Sequence, residues 1–336
     1  MEQSPYTSYD PSFYLPPEQN PAYKRQERRN LSRIGWALSG YLALVNLVAM
    51  TIYSVCNAFF PEAANHALFP FAQQIVPPYL LGFPLFALLL TGMPKKKPER
   101  KKLGFDGWIT FLAVSFFLML AGNYIAGGLM TVMEEIRGTE ITNAIDQQIT
   151  QSSPLSNLIL IVIIAPIAEE LMCRKLIIDR LLPYSEALAV LTGGIFFGLL
   201  HGNFYQFFYA VFLGLLFSYV YVKTGNILHT ILMHMIINFT GSIITDFINK
   251  MTSDLASAPT SINPWEIVGS VYSMAMLTLA VCGGILFFRK IKERDLKKTG
   301  ERWLTHPTQL RLAWCNSGTI TFCVLCLLMF ISSLYI

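Results

Sequence analysis

Runs of about twenty apolar residues recur along the chain with short basic loops between them, a pattern that a lipid bilayer accepts and a soluble core does not need. Spans are read near 34–59, 69–92, 106–131, 155–179, 186–202, 204–223, 226–248, 265–289 and 314–336. A backbone in hydrocarbon must satisfy its own hydrogen bonds, and segments of this length do so as helices. The expected fold class is an all-α polytopic membrane protein with eight or nine transmembrane helices, whose core bundle encloses a cavity within the membrane. Composition agrees, since 53% of the 336 residues are hydrophobic and only 14% are charged, against about 25% charged in soluble domains.

Basic loops orient such a bundle, because Lys and Arg favour the cytoplasmic side. "KRQERR" precedes the first span, "PKKKPERKK" follows the second, Arg174 to Arg180 close the fourth, Lys223 closes the sixth, and "RKIKERDLKK" follows the eighth. All fall on one side if the N-terminus is cytoplasmic, which favours nine spans and an external C-terminus. The opposite segment 134–153, "EEIRGTEITNAIDQQITQSS", is of mixed charge and reads as an amphipathic surface helix. Residues 1–32 are polar and rich in Pro and Tyr, and are expected to be a disordered cytoplasmic tail rather than a signal peptide. Residues 33–290 form the transmembrane domain, 291–313 a cytoplasmic linker, and 314–336 an appended helix. The chain is expected in a bacterial plasma membrane. Lipid is its one certain partner class, and the short basic runs carry no nucleic-acid signal. The six cysteines all lie in or against apolar segments, including Cys323 and Cys326 at CxxC spacing, and are read as packing residues.

Ionisable side chains inside spans cost roughly 2.5–3.5 kcal/mol each on insertion scales and usually face a partner or a cavity. They are few here. The fourth span holds Glu169, Glu170, Arg174 and Lys175; the fifth ends at His201; the seventh holds His229, His234 and Asn238. Residues four apart share a helix face, so Glu170 pairs with Arg174 and His234 aligns with Asn238. Glu169 points ~100° away from Glu170 and is left free. His201 shares its face with Phe197, and His229 points away from His234. Glu169, His201, His234 and Asn238 can therefore converge from three helices as a carboxylate, two imidazoles and an amide, a set suited to activating water. Each also has a plainer reading: interfacial carboxylates, a structural helix-end histidine, an interhelical hydrogen bond. Counting rise per residue puts Glu169 ~18 Å, His201 ~22 Å and His234 ~12 Å from the cytoplasmic side. Tilt, or a fifth helix shortened or broken at Gly193–Gly194, has to close that gap.

"EELMCR" (169–174), "FFGLLH" (196–201) and "HMIIN" (234–238) resemble, in order, the EExxxR, FxxxH and HxxxN/B motifs of the CPBP intramembrane protease family, also called Abi, which includes CAAX-processing and bacteriocin-processing proteins. The resemblance covers about 154–248. It implies an intramembrane endopeptidase acting on a peptide or membrane-protein substrate, with Glu169 as general base, His201 as its partner at the water, and His234 and Asn238 binding the polarised carbonyl. Glu170 and Arg174 then form the pair that supports the site. The family is usually classed as metal-dependent, so Glu169, His201 and His234 are also the expected ligands of a zinc cofactor. The same groups could work without metal, and the chain has no HExxH motif. Two alternatives stand beside the enzyme: a catalytically idle immunity or scaffold protein of the same family, and an ion-coupled transporter using the same groups as a relay.

Overall fold

The computed structural model describes residues 15–64, 66, 69–255, 263–290 and 295–335. Among them all regular structure is helical: α1 (Pro21–Phe59), α2 (Phe69–Leu89), α3 (Phe105–Arg137), α4 (Ala144–Gln151), α5 (Pro154–Leu181), α6 (Glu186–Leu199), α7 (Phe204–Thr224), α8 (Ile227–Ser253), α9 (Pro264–Lys290), α10 (His306–Trp314) and α11 (Ser317–Ser333). Seven helices are long and apolar enough to cross a membrane, or eight if the α10–α11 pair, bent by 59°, counts as one span. The expected fifth span is the difference. It is α6, with 14 residues, which reach only ~21 Å of a hydrocarbon core ~30 Å thick. Most of its apolar residues face protein: Leu188, Ala189, Val190, Phe196 and Phe197 are buried, while Leu191 is exposed. The last span differs too. Trp314 ends α10, and the chain turns at Cys315–Asn316 before α11.

Gly193–Gly194 do not break α6, which runs through both. They let two helices close on each other. A Cβ at Gly194 would stand 2.7 Å from the Leu215 backbone N, and one at Gly214 would stand 2.8 Å from the Gly194 carbonyl. Small residues drive helix association in lipid by allowing such approach. The crossing of α1 and α11 works the same way: Gly35 meets the Gly318 backbone, and Ser32 Oγ accepts from the Gly318 N–H at 2.9 Å.

One end of the bundle is basic and tied by hydrogen bonds. The 94–102 loop lies across the C-terminal ends of α5 and α7, with Lys96 N–H donating to the Asp179 carbonyl and Lys101 N–H to the Thr224 carbonyl, at 2.7 and 3.0 Å. Arg180 and Arg33 donate to the Leu90, Leu89 and Thr91 carbonyls and so satisfy the last turn of α2. Lys223 at the end of α7 pairs with Glu186 at the start of α6 at 2.6 Å, so these two helices share this end.

The expected tail 1–32 is helical from Pro21 onward, capped by Asn20; residues 1–14 lie outside the described residues. Its helical part is packed, because it carries a buried acid. Glu27 accepts from the Tyr184 hydroxyl at 2.5 Å and pairs with Arg302 at 3.0 Å. This pairing raises the Arg302 pKa against the opposing effect of burial, while burial first and Glu27 second push the Tyr184 phenol up. The expected linker 291–313 is thus partly a docked segment: Tyr23 Oη donates to the Arg302 carbonyl at 3.1 Å, and Lys297 N–H donates to Glu186. Residues 291–294 lie outside the described set.

Candidate active site

Helix α5 changes its winding around the two glutamates. Leu158–Ile164 and Leu171–Ile178 are π-helical, and the α-helical turn between them, Ala165–Glu170, carries Glu169 and Glu170. Such wide turns free backbone groups and frequently mark functional sites. One freed group has a clear cause. In the π segment Ala165 N–H bonds the Leu160 carbonyl, so the next bond would run from residue 166 to Ile161. Residue 166 is proline and has no N–H. The Asn238 amide donates to that Ile161 carbonyl at 2.8 Å instead. Asn238 also ends the α-helical part of α8, where Phe239–Ile244 is again π-helical.

Glu170 and Arg174 meet as their spacing predicts. Both side chains are 0% exposed, with Nε–Oε2 at 3.0 Å and Nη2–Oε1 at 3.1 Å. The Arg174 guanidinium lies 5.0 Å from the Phe197 ring and 6.0 Å from the Phe217 ring, a cation–π setting that shields the buried charge. Glu170 Oε1 also faces His234 Nδ1 at 3.3 Å. A carboxylate can only accept, so this contact places a proton on Nδ1 and turns Nε2 of a neutral ring outward as a lone pair. Glu169 Oε2 stands 3.8 Å from that Nε2 and has no hydrogen-bond partner of its own.

His201 is fixed by the same logic. It follows α6, and its Nδ1 lies 2.8 Å from the Phe197 carbonyl. A carbonyl also only accepts, so Nδ1 carries the proton and Nε2 is left for the cavity. The Phe197 ring packs edge-on against both imidazoles, at 5.0 Å from His201 and 5.7 Å from His234. Phe197 therefore touches His201, His234 and Arg174 at once, a positioning role that the sequence shows only as a residue one turn before His201. His229 stays apart: its ring contacts Asn226 at 3.3 Å and does not line the cavity.

Glu169, His201, His234 and Asn238 line one cavity of about 650 Å³. It runs to α4, where Asn143, Asp146 and Gln148 join the wall with Gln74 of α2 and Tyr205 and Gln206 of α7. Helix α4 is held there by side chains from three spans. Gln148 donates to Gln74 at 2.8 Å, Tyr205 to the Ile141 carbonyl at 2.7 Å, and Asn157 to the Ile149 carbonyl at 2.7 Å. Asp146 accepts from Asn143 at 2.9 Å. Its side chain is open at the mouth, yet the surrounding protein pushes its carboxyl above the ordinary aspartate value, with the Asn143 bond opposing.

Among the described residues no three His, Cys, Asp or Glu side chains stand close enough to hold a metal ion. Glu169 and His234 supply two donors, fewer than the three protein ligands of a catalytic zinc, so no step is derived through a metal.

Residues 151–240 match the family described as Rce1-like, type II CAAX prenyl endopeptidase. Among curated proteins the chain is similar to one from Bacillus subtilis (strain 168) that bears the name "Putative membrane peptidase YdiL", with 28% identity over 156 residues, 45% of this chain and 62% of that protein. The chain thus aligns with less than two thirds of that relative's length. No solved structure matches the chain. The matched residues span α5 to α8 and contain both glutamates, Arg174, both cavity histidines and Asn238, so over this stretch the chain is similar to the Rce1-like, type II CAAX prenyl endopeptidase family.

Proposed function

We propose that this protein is an intramembrane endopeptidase in which Glu169 activates water. The observation that carries the reading is a buried carboxylate oxygen without a hydrogen-bond partner, 3.8 Å from an imidazole nitrogen whose lone pair faces it. Two acceptors so placed call for a donor between them. A water about 2.8 Å from each can donate one hydrogen to Glu169 Oε2 and the other to His234 Nε2, leaving its oxygen lone pairs for attack.

The water oxygen adds to the carbonyl carbon of the substrate peptide while one proton passes to Glu169. The negative charge that develops on the carbonyl oxygen needs donors. Asn238 keeps one amide hydrogen beyond the one given to Ile161, while His201, its proton on Nδ1, offers Nε2 as a second acceptor beside the water. Collapse of the adduct breaks the C–N bond, and the proton held by Glu169 goes to the leaving amine. The products are a carboxylic acid, which gives up its proton to solvent or to the amine, and a free amine. Geometry here pairs the base with His234, whereas the motif resemblance pairs it with His201. The family name and the relative's name point to peptide hydrolysis in a membrane, and the all-helical bundle of apolar spans agrees. The basic end is assigned to the cytoplasm and α4 to the outer face of a bacterial membrane.

The test is purified protein in liposomes assayed against hydrophobic peptide substrates. Glu169→Gln should lose about 10²–10⁴-fold in kcat, the usual worth of a positioned acid–base group, with unchanged thermal unfolding. Retention of hydrolysis within a few-fold would remove Glu169 from the chemistry. A chelator arm on the wild type decides whether zinc takes part.

A further inference from the structure

Away from the proposed base, the character of the cavity changes. Its wall there carries Gln74, Asn123, Asn143, Asp146, Gln148 and Gln206, and nowhere in the cavity does a lysine or arginine line the wall. Two carboxylates, Glu169 inside and the exposed Asp146, thus line one cavity with no lysine or arginine in its wall. Four other acids of this protein are each matched by a cation: Glu170 by Arg174, Glu27 by Arg302, Glu186 by Lys223, and Asp246 by Lys250. The side-chain partner of Asp146 is the neutral Asn143 amide, at 2.9 Å through Oδ2, and the residue is exposed.

From this we propose that Asp146 is a specificity residue: the cavity takes an extended peptide segment bearing a lysine or arginine near the bond to be cleaved, with that cation seated against Asp146 at the α4 end. α4 is a suitable platform because hydrogen bonds from α2, α5 and α7 fix its position relative to the proposed base. The inference rests on the endopeptidase reading for the meaning of the nearby bond, but its binding part does not.

The experiment uses full-length protein in nanodiscs and a set of dansylated apolar decapeptides. In each a single lysine is moved one position at a time, with norleucine at the same place as control. Binding is measured to the Glu169→Gln variant, hydrolysis with the wild type. At one or two positions lysine should improve binding and kcat/KM about tenfold over norleucine, as a charge-assisted hydrogen bond does. Asp146→Asn should collapse that ratio toward one, and Asp146→Lys should invert it for peptides with glutamate at the same position. A ratio near one at every position, or a ratio unmoved by Asp146→Asn, overturns the proposal. A lysine preference in binding that depends on Asp146, with no hydrolysis of any peptide, would sustain the site and sink the endopeptidase reading instead.

Discussion

At the scale of single residues, the site depends on which groups are tied and which are left free. Glu170 is fully committed, to Arg174 on one side and His234 on the other. Removing Arg174 alone leaves a buried carboxylate uncompensated, so Arg174→Met should cost about 3–5 kcal/mol of stability, read by thermal or denaturant unfolding in detergent. The double variant Glu170→Leu/Arg174→Met removes both charges and should recover most of that stability. It should not recover hydrolysis, because nothing then fixes the His234 tautomer. Recovery of both would mean that Glu170 only balances charge. Phe197 makes a related prediction. Phe197→Leu keeps the carbonyl that holds His201 but loses the ring between the imidazoles and Arg174. We expect kcat to fall with KM nearly unchanged, and a drop confined to KM would contradict a positioning role.

At the scale of elements, α5 and α8 meet through a defect in one and a side chain of the other. Pro166 orphans the Ile161 carbonyl and Asn238 satisfies it. Asn238→Leu should therefore cost about 1–3 kcal/mol, the usual penalty for an unsatisfied buried group. In a Pro166→Ala background, where residue 166 again has an N–H to give, the same substitution should cost clearly less. Unfolding of the four proteins of this double-mutant cycle measures the coupling, and additive costs would show that the proline and the amide are unrelated. The α6–α7 pair offers a second check. Gly194→Ala puts a methyl against the Leu215 backbone and should cost about 1–3 kcal/mol as overpacking does; a neutral outcome would mean that the helices separate freely.

Across the whole molecule, the two ends differ in chemistry. One is clamped by arginines, the 94–102 loop and the Glu27–Arg302–Tyr184 network; at the other, α4 lines the cavity. If the basic end is cytoplasmic, a membrane-impermeant thiol reagent should label Gln147→Cys in intact cells and Lys97→Cys only after lysis, each above the background of the native cysteines. Labelling of both from the same side would refute the orientation.

The sequence by itself determined the chemistry of the buried groups, because few ionisable residues survive in apolar spans and helical spacing decides which share a face. Glu170 with Arg174, and the freedom of Glu169, were legible for that reason, as were most of the spans. Whether a short apolar segment crosses lipid was not, since burial against protein and burial against lipid favour the same residues. α6 is the instance: hydropathy reads it as a span, while it has only fourteen residues and most of its apolar side chains are buried in protein. Nor does spacing along one chain fix contacts between helices. That His234 rather than His201 lies at Glu169, that Phe197 binds both rings and that Asn238 answers Pro166 all follow from how π-turns and glycine crossings set helix register, a long-range outcome that only the folded bundle decides.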